Sequence, residues 1–242
     1  MNIVGISTCK GRLEHVKQTS KVFLDNSSEN VQYLLVDYGC PEKTGSWVKQ
    51  TYKSRADALI MNPNTPCFNK TIALNAGARY AIGTMHADYI LFFDADTFIY
   101  KGFIEKISGM LDPKRFIFVQ GEVLDLTGLI IIHKDLFRES SGYEESFRNW
   151  GAEDLEFRLR LYAKHKIPFD VIDDEFLGSI THGNDLRTKF HAEQDVLISN
   201  KNNLDRMRKL FALYRLQDLR RWKTFEDQEK IHMLLAANKT YL

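Results

Sequence analysis

Tyr89-Ile90-Leu91-Phe92-Phe93-Asp94-Ala95-Asp96 is a run of five apolar residues that stops at two carboxylates separated by one residue. A short, continuously apolar run bounded by polar residues reads as a strand buried on both faces. Three more such runs, Ile3 to Ile6, Val31 to Val36 and Ala58 to Met61, precede it and alternate with longer segments of helical spacing. That alternation is the pattern of βαβ units, so the spacing predicts an α/β fold with a mainly parallel sheet flanked by helices.

Working outward, Leu13, Val16, Val22 and Phe23 recur at helical intervals between the first two strands. Ile72, Leu74, Ala76, Ala78 and Ala81 form a second helical face, rich in small residues. Beyond Asp96 the apolar runs Phe116 to Val119 and Leu129 to Ile132 predict two further strands. A polar, glycine-containing stretch from Arg138 to Asn149 reads as a mobile loop, and a helix is expected to begin near Glu153.

From about Leu204 onward, Leu204, Met207, Phe211, Tyr214 and Trp222 lie on a helical repeat interleaved with Arg206, Arg208, Lys209, Arg215, Arg220, Arg221 and Lys223. Such a stripe packs on its own domain, on a twin subunit, or on an anionic membrane surface. The expected organisation is one domain over residues 1–200, with a nucleotide-binding half to about residue 100 and an acceptor half after it. A helical C-terminal extension occupies 201–242.

Composition narrows the partners. With 33 basic and 32 acidic residues the formal net charge is +1, which lacks the electrostatic footprint of a nucleic-acid binder. Met1 to Cys9 has no basic leader or small-residue cleavage site, and no later run approaches the roughly 20 apolar residues of a spanning helix. Three cysteines, Cys9, Cys40 and Cys67, cannot all pair and are too widely spaced for a zinc knuckle. Reduced thiols and a cytoplasmic location, with peripheral contact to an inner membrane through the basic C-terminal helix, are the expectation.

The strand-ending acids carry the chemistry. In open α/β sheets ligands gather at the carboxyl ends of strands. Two carboxylates aimed at one point there are natural ligands for Mg²⁺ or Mn²⁺ carrying a diphosphate. Asp94-Ala95-Asp96-Thr97 also matches the Asp-x-Asp-x-Thr signature of haloacid-dehalogenase-like phosphatases, with Asp94 as nucleophile and Asp173-Asp174 as metal ligands. A non-catalytic sugar-binding module is a third possibility.

Four further segments, in the same order along the chain, resemble the β-1,4-galactosyltransferase family of GT-A glycosyltransferases. Ser7-Thr8-Cys9-Lys10-Gly11-Arg12-Leu13-Glu14-His15-Val16-Lys17 is similar to that family's basic turn after the first strand, which lies against uridine diphosphate. Phe68-Asn69-Lys70-Thr71-Ile72-Ala73-Leu74-Asn75-Ala76-Gly77 resembles its Phe-Asn-Arg-Ala-x-x-Leu-Asn-x-Gly segment, with Lys70 for arginine. Asn149-Trp150-Gly151-Ala152-Glu153-Asp154 resembles Trp-Gly-Gly-Glu-Asp, with Ala152 for glycine, and Ser179-Ile180-Thr181-His182 resembles Met-x-x-His.

The resemblance implies a metal-dependent inverting transferase that moves a hexose, galactose or N-acetylgalactosamine, from a UDP-sugar to a glycan hydroxyl. It assigns Thr8, Lys10, Arg12, Asp37, Phe68, Lys70 and Asp94 to the nucleotide, and Asp96 and His182 to the metal. Trp150, Gly151, Glu153 and Asp154 fall to the acceptor, with Asp154 as general base. At the start of a helix, the macrodipole is expected to keep Asp154 ionised.

Overall fold

A computed structural model of the chain describes residues 1–120, 126–213, 230, 231 and 233–235. Strand β1 (Ile3–Cys9) is buried along its whole length and leads into helix α1 (Leu13–Asp25), which packs through Val16, Phe23 and Leu24. Strand β2 (Val31–Tyr38) follows, then α2 (Thr44–Tyr52) and β3 (Ala56–Met61). The α2 helix was not legible beforehand, because Val48 is the one large apolar side chain it buries, beside Thr44 and Gly45.

Helix α3 (Lys70–Gly83) starts where the Asn69 side chain accepts a hydrogen bond from the Ile72 amide, 3.0 Å, which satisfies one of the free N–H groups of the first turn. Its small residues bring it close to the sheet. A Cβ on Gly77 would lie 2.6 Å from Val36 and 3.0 Å from Ile6, so glycine sets that approach.

Strand β4 (Tyr89–Phe92) ends just before the acidic pair, and β5 (Thr97–Ile99) begins just after it. The chain continues through α4 (Phe103–Ser108), β6 (Phe116–Val119), β7 (Ile130–His133), α5 (Lys134–Glu139) and α6 (Glu153–Ala163). Strands β8 (Phe169–Ile172) and β9 (Leu177–Ser179) and helices α7 (Asn184–Thr188) and α8 (Val196–Leu213) complete the described elements.

Seven strands form one sheet in the order β3-β2-β1-β4-β7-β6-β8, parallel except for β7, which runs against both neighbours. The expected α/β, GT-A-type architecture is therefore present. One core, with Ile6, Val36, Phe92 and Phe157, lies between the sheet and α3 and α6; the other, with Phe23, Leu35, Leu91 and Phe103, lies on the face of α1 and α4. The direction of winding reverses between β1 and β4, so a crevice opens beyond their carboxyl ends, where Cys9-Lys10 and Asp94-Asp96 emerge.

Two expectations change. The stretch after Arg138 is held in place. Asn75 brackets Tyr143, donating to its carbonyl and accepting from its amide at 2.8 Å each, while Arg160 donates to the Ser140 and Gly142 carbonyls at 2.6 Å. Tyr143 and Phe147 are buried beneath it.

The expected boundary at residue 200 falls inside α8, which is not a separate extension. Ser199, Asn200 and Asn203 are buried against the preceding domain, Met207 enters its core, and Leu204, Leu210 and Phe211 pack beside it. The apolar stripe of α8 is thus covered by its own domain. Tyr214, Arg215, Arg220, Arg221, Trp222 and Lys223 lie outside the described residues. No described helix is long and apolar enough to cross a membrane.

Candidate active site

The crevice is an open cleft of about 1070 Å³, mouth included. The turn after β1 supplies Thr8, Lys10 and Arg12; the loop into α3 supplies Phe68 and Lys70; the end of β4 supplies Asp94 and Asp96. Trp150, Gly151, Glu153 and Asp154 face it from the start of α6, and His182 from the segment after β9. Every residue expected at the site lines this cleft except Asp37. That side chain is 2% exposed, and its two oxygens accept the Cys40 and Gly45 amides at 2.6 and 2.7 Å. Asp37 folds the loop after β2; an acid at a strand end can serve either a ligand or its own backbone, and here backbone donors occupy both oxygens.

Asp96 and His182 meet because β5 and β9 pair as an antiparallel ribbon, Thr97 opposite Ser179, with the Ile180 amide donating to the Asp96 carbonyl at 2.9 Å. The result is a 2.7 Å contact between His182 Nε2 and Asp96 Oδ2, with Arg12 Nη1 at 3.6 Å from the same oxygen. Burial pushes the Asp96 carboxyl up, but His182 and Arg12 outweigh it and leave it below the ordinary carboxylate range. The hydrogen bond to Asp96 raises the His182 imidazole. His15 stacks on His182 with ring centroids 5.6 Å apart, a neighbour the sequence did not reveal.

Lys70 is the second focus. Its ammonium reaches Asp154 Oδ2 at 2.9 Å, Asp94 Oδ1 at 3.0 Å and Glu153 Oε1 at 3.2 Å. Burial alone would lower the lysine, but the three carboxylates win and hold it well above its usual value. Asp94 is raised by burial, with Lys70 opposing. Asp154 is pushed up to about 7, first by burial and then by Glu153 and Asp94, with Lys70 pulling the other way.

The expectation that the helix start keeps Asp154 fully ionised is therefore corrected. Desolvation outweighs the macrodipole, whose effect at a helix end is about 0.3–2 kcal/mol. The carboxyl is instead poised near neutrality, which suits a general base. Its Oδ1 is buried and has no hydrogen-bond partner among the described residues.

The approach to α6 is strained. Asn149, Gly151 and Ala152 have φ of 62°, 106° and 65°, a left-handed backbone that costs an L-residue such as Ala152 about 1–2 kcal/mol. Helix α8 holds it there. Ser199 Oγ accepts the Trp150 amide at 2.9 Å and donates to the Trp150 carbonyl at 2.7 Å. Asn203 Nδ2 donates to the Arg148 and Gly151 carbonyls at 2.8 and 2.9 Å. Asn203 was hidden as one polar residue within a helical stripe.

Other lining residues carried no sequence signal. Phe190 covers the basic turn: a Cβ on Gly11, where φ is 73°, would fall 2.1 Å from its ring. The Phe190 carbonyl accepts the Phe68 amide at 2.7 Å, and the Lys10 ammonium sits 5.7 and 5.8 Å from the Tyr38 and Phe190 ring centres. Arg187 lies over the Trp150 ring at 5.1 Å. Gly128 backs the lysine cluster, where a Cβ would stand 2.7 Å from Asp94 Oδ2 and 3.3 Å from both Asp154 Oδ2 and Lys70 Nζ.

The phosphatase geometry is not assembled. Asp173 is paired with Lys106 at 2.9 Å on the exterior, and neither it nor Asp174 lines the cleft beside Asp94.

Comparison with known proteins agrees with the fold. Residues 3–117, a little under half of the chain, match the family described as Glycosyltransferase like family 2. No curated protein matches the chain. The structure of S. aureus TarS residues 1–349 in complex with UDP-GlcNAc superimposes over 100% of this chain and 73% of its own, with TM-score 0.68 and 13% identity. The mannosyltransferase PcManGT from Pyrobaculum calidifontis, in complex with GDP-Man and Mn²⁺, covers 98% and 73% at TM-score 0.60 and 11% identity. GalNAc-T7 with UDP, GalNAc and Mn²⁺ covers 98% of this chain and 54% of its own at TM-score 0.65 and 12% identity.

The fold, the cleft and these matches define the class: the chain is a glycosyltransferase of the GT-A type. More narrowly, residues 3–117 are similar to Glycosyltransferase like family 2.

Proposed function

We propose that the protein transfers a hexose from a UDP-sugar to a glycan hydroxyl with inversion at the anomeric carbon. The observation that carries this reading is the state of Asp154. One carboxylate oxygen is held by Lys70, the other is buried and has no hydrogen-bond partner among the described residues, and the residue lines the cleft together with Asp94 and Asp96. An acceptor hydroxyl donating to Oδ1 would satisfy that atom. It would also give up its proton there as the anomeric carbon becomes electrophilic. A base on the face opposite the leaving group implies in-line displacement, hence inversion.

Lys10, Arg12, Phe68 and Thr8 form the wall assigned to the nucleotide, where the cationic side chains hold the diphosphate and the aromatic rings hold the base. UDP is the favoured nucleotide on the family resemblance of the basic turn and on the UDP-GlcNAc and UDP bound to two structurally similar proteins, TarS and GalNAc-T7. Galactose or N-acetylgalactosamine rests on that resemblance.

For a divalent cation the donor set fits: a depressed carboxylate and an imidazole lie 2.7 Å apart at the mouth of the basic turn. No group of three His, Cys, Asp or Glu side chains converges among the described residues, so Asp96 and His182 would hold Mn²⁺ or Mg²⁺ together with donor oxygens and water. When bound, the ion neutralises charge on the departing diphosphate. Trp150, held by Ser199 and faced by Arg187, and Glu153 beside Asp154 would orient the acceptor sugar.

Thermal-shift measurement against UDP- and GDP-sugars, with and without Mn²⁺, tests the donor. A ligand at 100 times its Kd adds about 2.7 kcal/mol, or roughly 5–11 °C for a chain of this size. A shift with a UDP-sugar that needs Mn²⁺ supports the reading, and no shift with any nucleotide sugar contradicts it. Retention of anomeric configuration in the product, read by proton NMR, would remove Asp154 from the role of base.

A further inference from the structure

Behind the basic turn, and outside the cleft, Cys9 and Cys40 face one another with Sγ atoms 3.9 Å apart. Cys9 ends β1 in register with Asp37 on β2, and the Asp37 carboxylate, by accepting the Cys40 amide, folds Cys40 back beneath residues 9–12. The Cys40 sulfur accepts from the Gly11 amide at 3.1 Å and from the Cys9 thiol, and lies 3.1 Å from the Thr44 hydroxyl, in a contact where either atom could donate. Cys9 is 1% exposed and Cys40 7%, and both are free thiols. Donors of this kind favour the ionised form of the Cys40 sulfur, and a thiolate is the reactive form of cysteine.

We propose that Cys9 and Cys40 are a modification site at which a two-electron oxidant of the peroxide class forms a disulfide, and that the bond controls the Lys10–Arg12 turn. The Cys40 thiolate attacks hydrogen peroxide, forming an S–O bond as the O–O bond breaks, and hydroxide leaves. The Cys9 sulfur then attacks the Cys40 sulfenic sulfur. An S–S bond forms, the S–O bond breaks, and the departing hydroxide takes up the Cys9 proton as water. The first hydroxide becomes water with the proton that Cys40 gave up on ionising, so two thiols lose two electrons and one peroxide becomes two waters.

The donor geometry supports the direction of this chemistry. The Cys9 hydrogen bond, joined by Thr44 and Gly11, pulls the Cys40 thiol down to about 4 against burial, and the same contact together with burial pushes Cys9 up. Closing 3.9 Å to a bond of about 2.05 Å moves the sulfurs together by nearly 2 Å. The disulfide carries no charge, so the Gly11 amide loses its anionic acceptor, and Gly11 lies between the two cations that line the nucleotide wall. Oxidation therefore loosens the part of the cleft assigned to the diphosphate.

The consequence for donor binding rests on the function proposed above, whereas the bond itself does not. The full chain is reduced, freed of reductant, exposed to hydrogen peroxide and denatured for thiol titration. The three cysteines give three thiols before exposure; afterwards one is expected, Cys67, with a Cys9–Cys40 cross-linked peptide by mass spectrometry and recovery by dithiothreitol. Amide exchange of the peptide containing Gly11 should quicken on oxidation. UDP with Mn²⁺, followed by calorimetry, should bind at least tenfold more weakly. Cys40→Ala and Cys9→Ala should make the exchange rate and UDP affinity insensitive to peroxide.

Three titratable thiols after exposure, or a disulfide that leaves both exchange and UDP affinity unchanged, would overturn the proposal. If the reduced protein binds no UDP, the nucleotide reading fails instead, and the thiol count together with Gly11 exchange still decides this one.

Discussion

Replacing Lys70 with methionine removes the cation that, among the described residues, touches Asp154, Asp94 and Glu153 together. An opposite charge at this range lowers a carboxyl by about 1–3 pKa units. Without it, Asp154 should climb from about 7 to roughly 8–10. At pH 7 the ionised fraction of the base then falls from about one half to between ~10% and ~0.1%, a loss of about 5-fold to several hundred-fold in kcat/KM. The sign follows from the base acting as its anion: activity is lost as pH falls through the pKa, so the variant's acidic limb moves to higher pH and part of the deficit returns near pH 9. Lys70→Arg, which keeps the charge, should keep the limb near the wild-type position. The assay is a pH series of kcat/KM on both variants, with thermal melts to confirm folding. An unmoved acidic limb in Lys70→Met, with the whole loss in the donor KM, would refute the link to Asp154 and return Lys70 to a donor contact.

Gly128→Ala places a methyl carbon 2.7 Å from Asp94 and 3.3 Å from Lys70 and Asp154, so kcat should drop by about tenfold or more from misplaced groups, with a melt close to wild type. Asn203→Ala leaves the Arg148 and Gly151 carbonyls without their donor. Stability should fall by about 1–3 kcal/mol in chemical denaturation, and the acceptor KM should rise as the Trp150 loop loosens. His182→Ala removes one of the two side chains assigned to the cation. The concentration of Mn²⁺ needed for half-maximal activity should increase on the order of 10–100-fold, the range found when even an outer-shell partner is lost.

The parts of this enzyme that could be read from the chain were those fixed by local pattern. Five apolar residues ending in Asp94-Ala95-Asp96 can hardly be anything but a central strand opening on a cleft, and the neighbouring runs gave β1, β2 and β3 in the same way. What escaped depended on the third dimension. Helix α2 buries too little apolar surface to show a period. The charge state of Asp154 turns on burial, on the adjacent Glu153 and on Lys70 and Asp94, which are distant in sequence, so the helix-start rule alone misjudged it. Asp37 satisfied the rule for strand-end acids and yet serves its own loop. Phe190 sits on an irregular segment and Arg187 on the five-residue helix α7, both too short to show a periodicity. The boundary at residue 200 was drawn where the basic amphipathic repeat begins, whereas Ser199 and Asn203 tie α8 to the Trp150 turn through hydrogen bonds that such a repeat does not register.

The most direct measurement is a comparison of wild type with Asp154→Asn in two assays, donor binding by calorimetry and sugar transfer under single-turnover conditions. Positioned general-base catalysis contributes about 10²–10⁴-fold, so transfer should fall by that factor while the UDP-sugar Kd stays within about threefold. Transfer at an undiminished rate by Asp154→Asn would contradict the account at its centre.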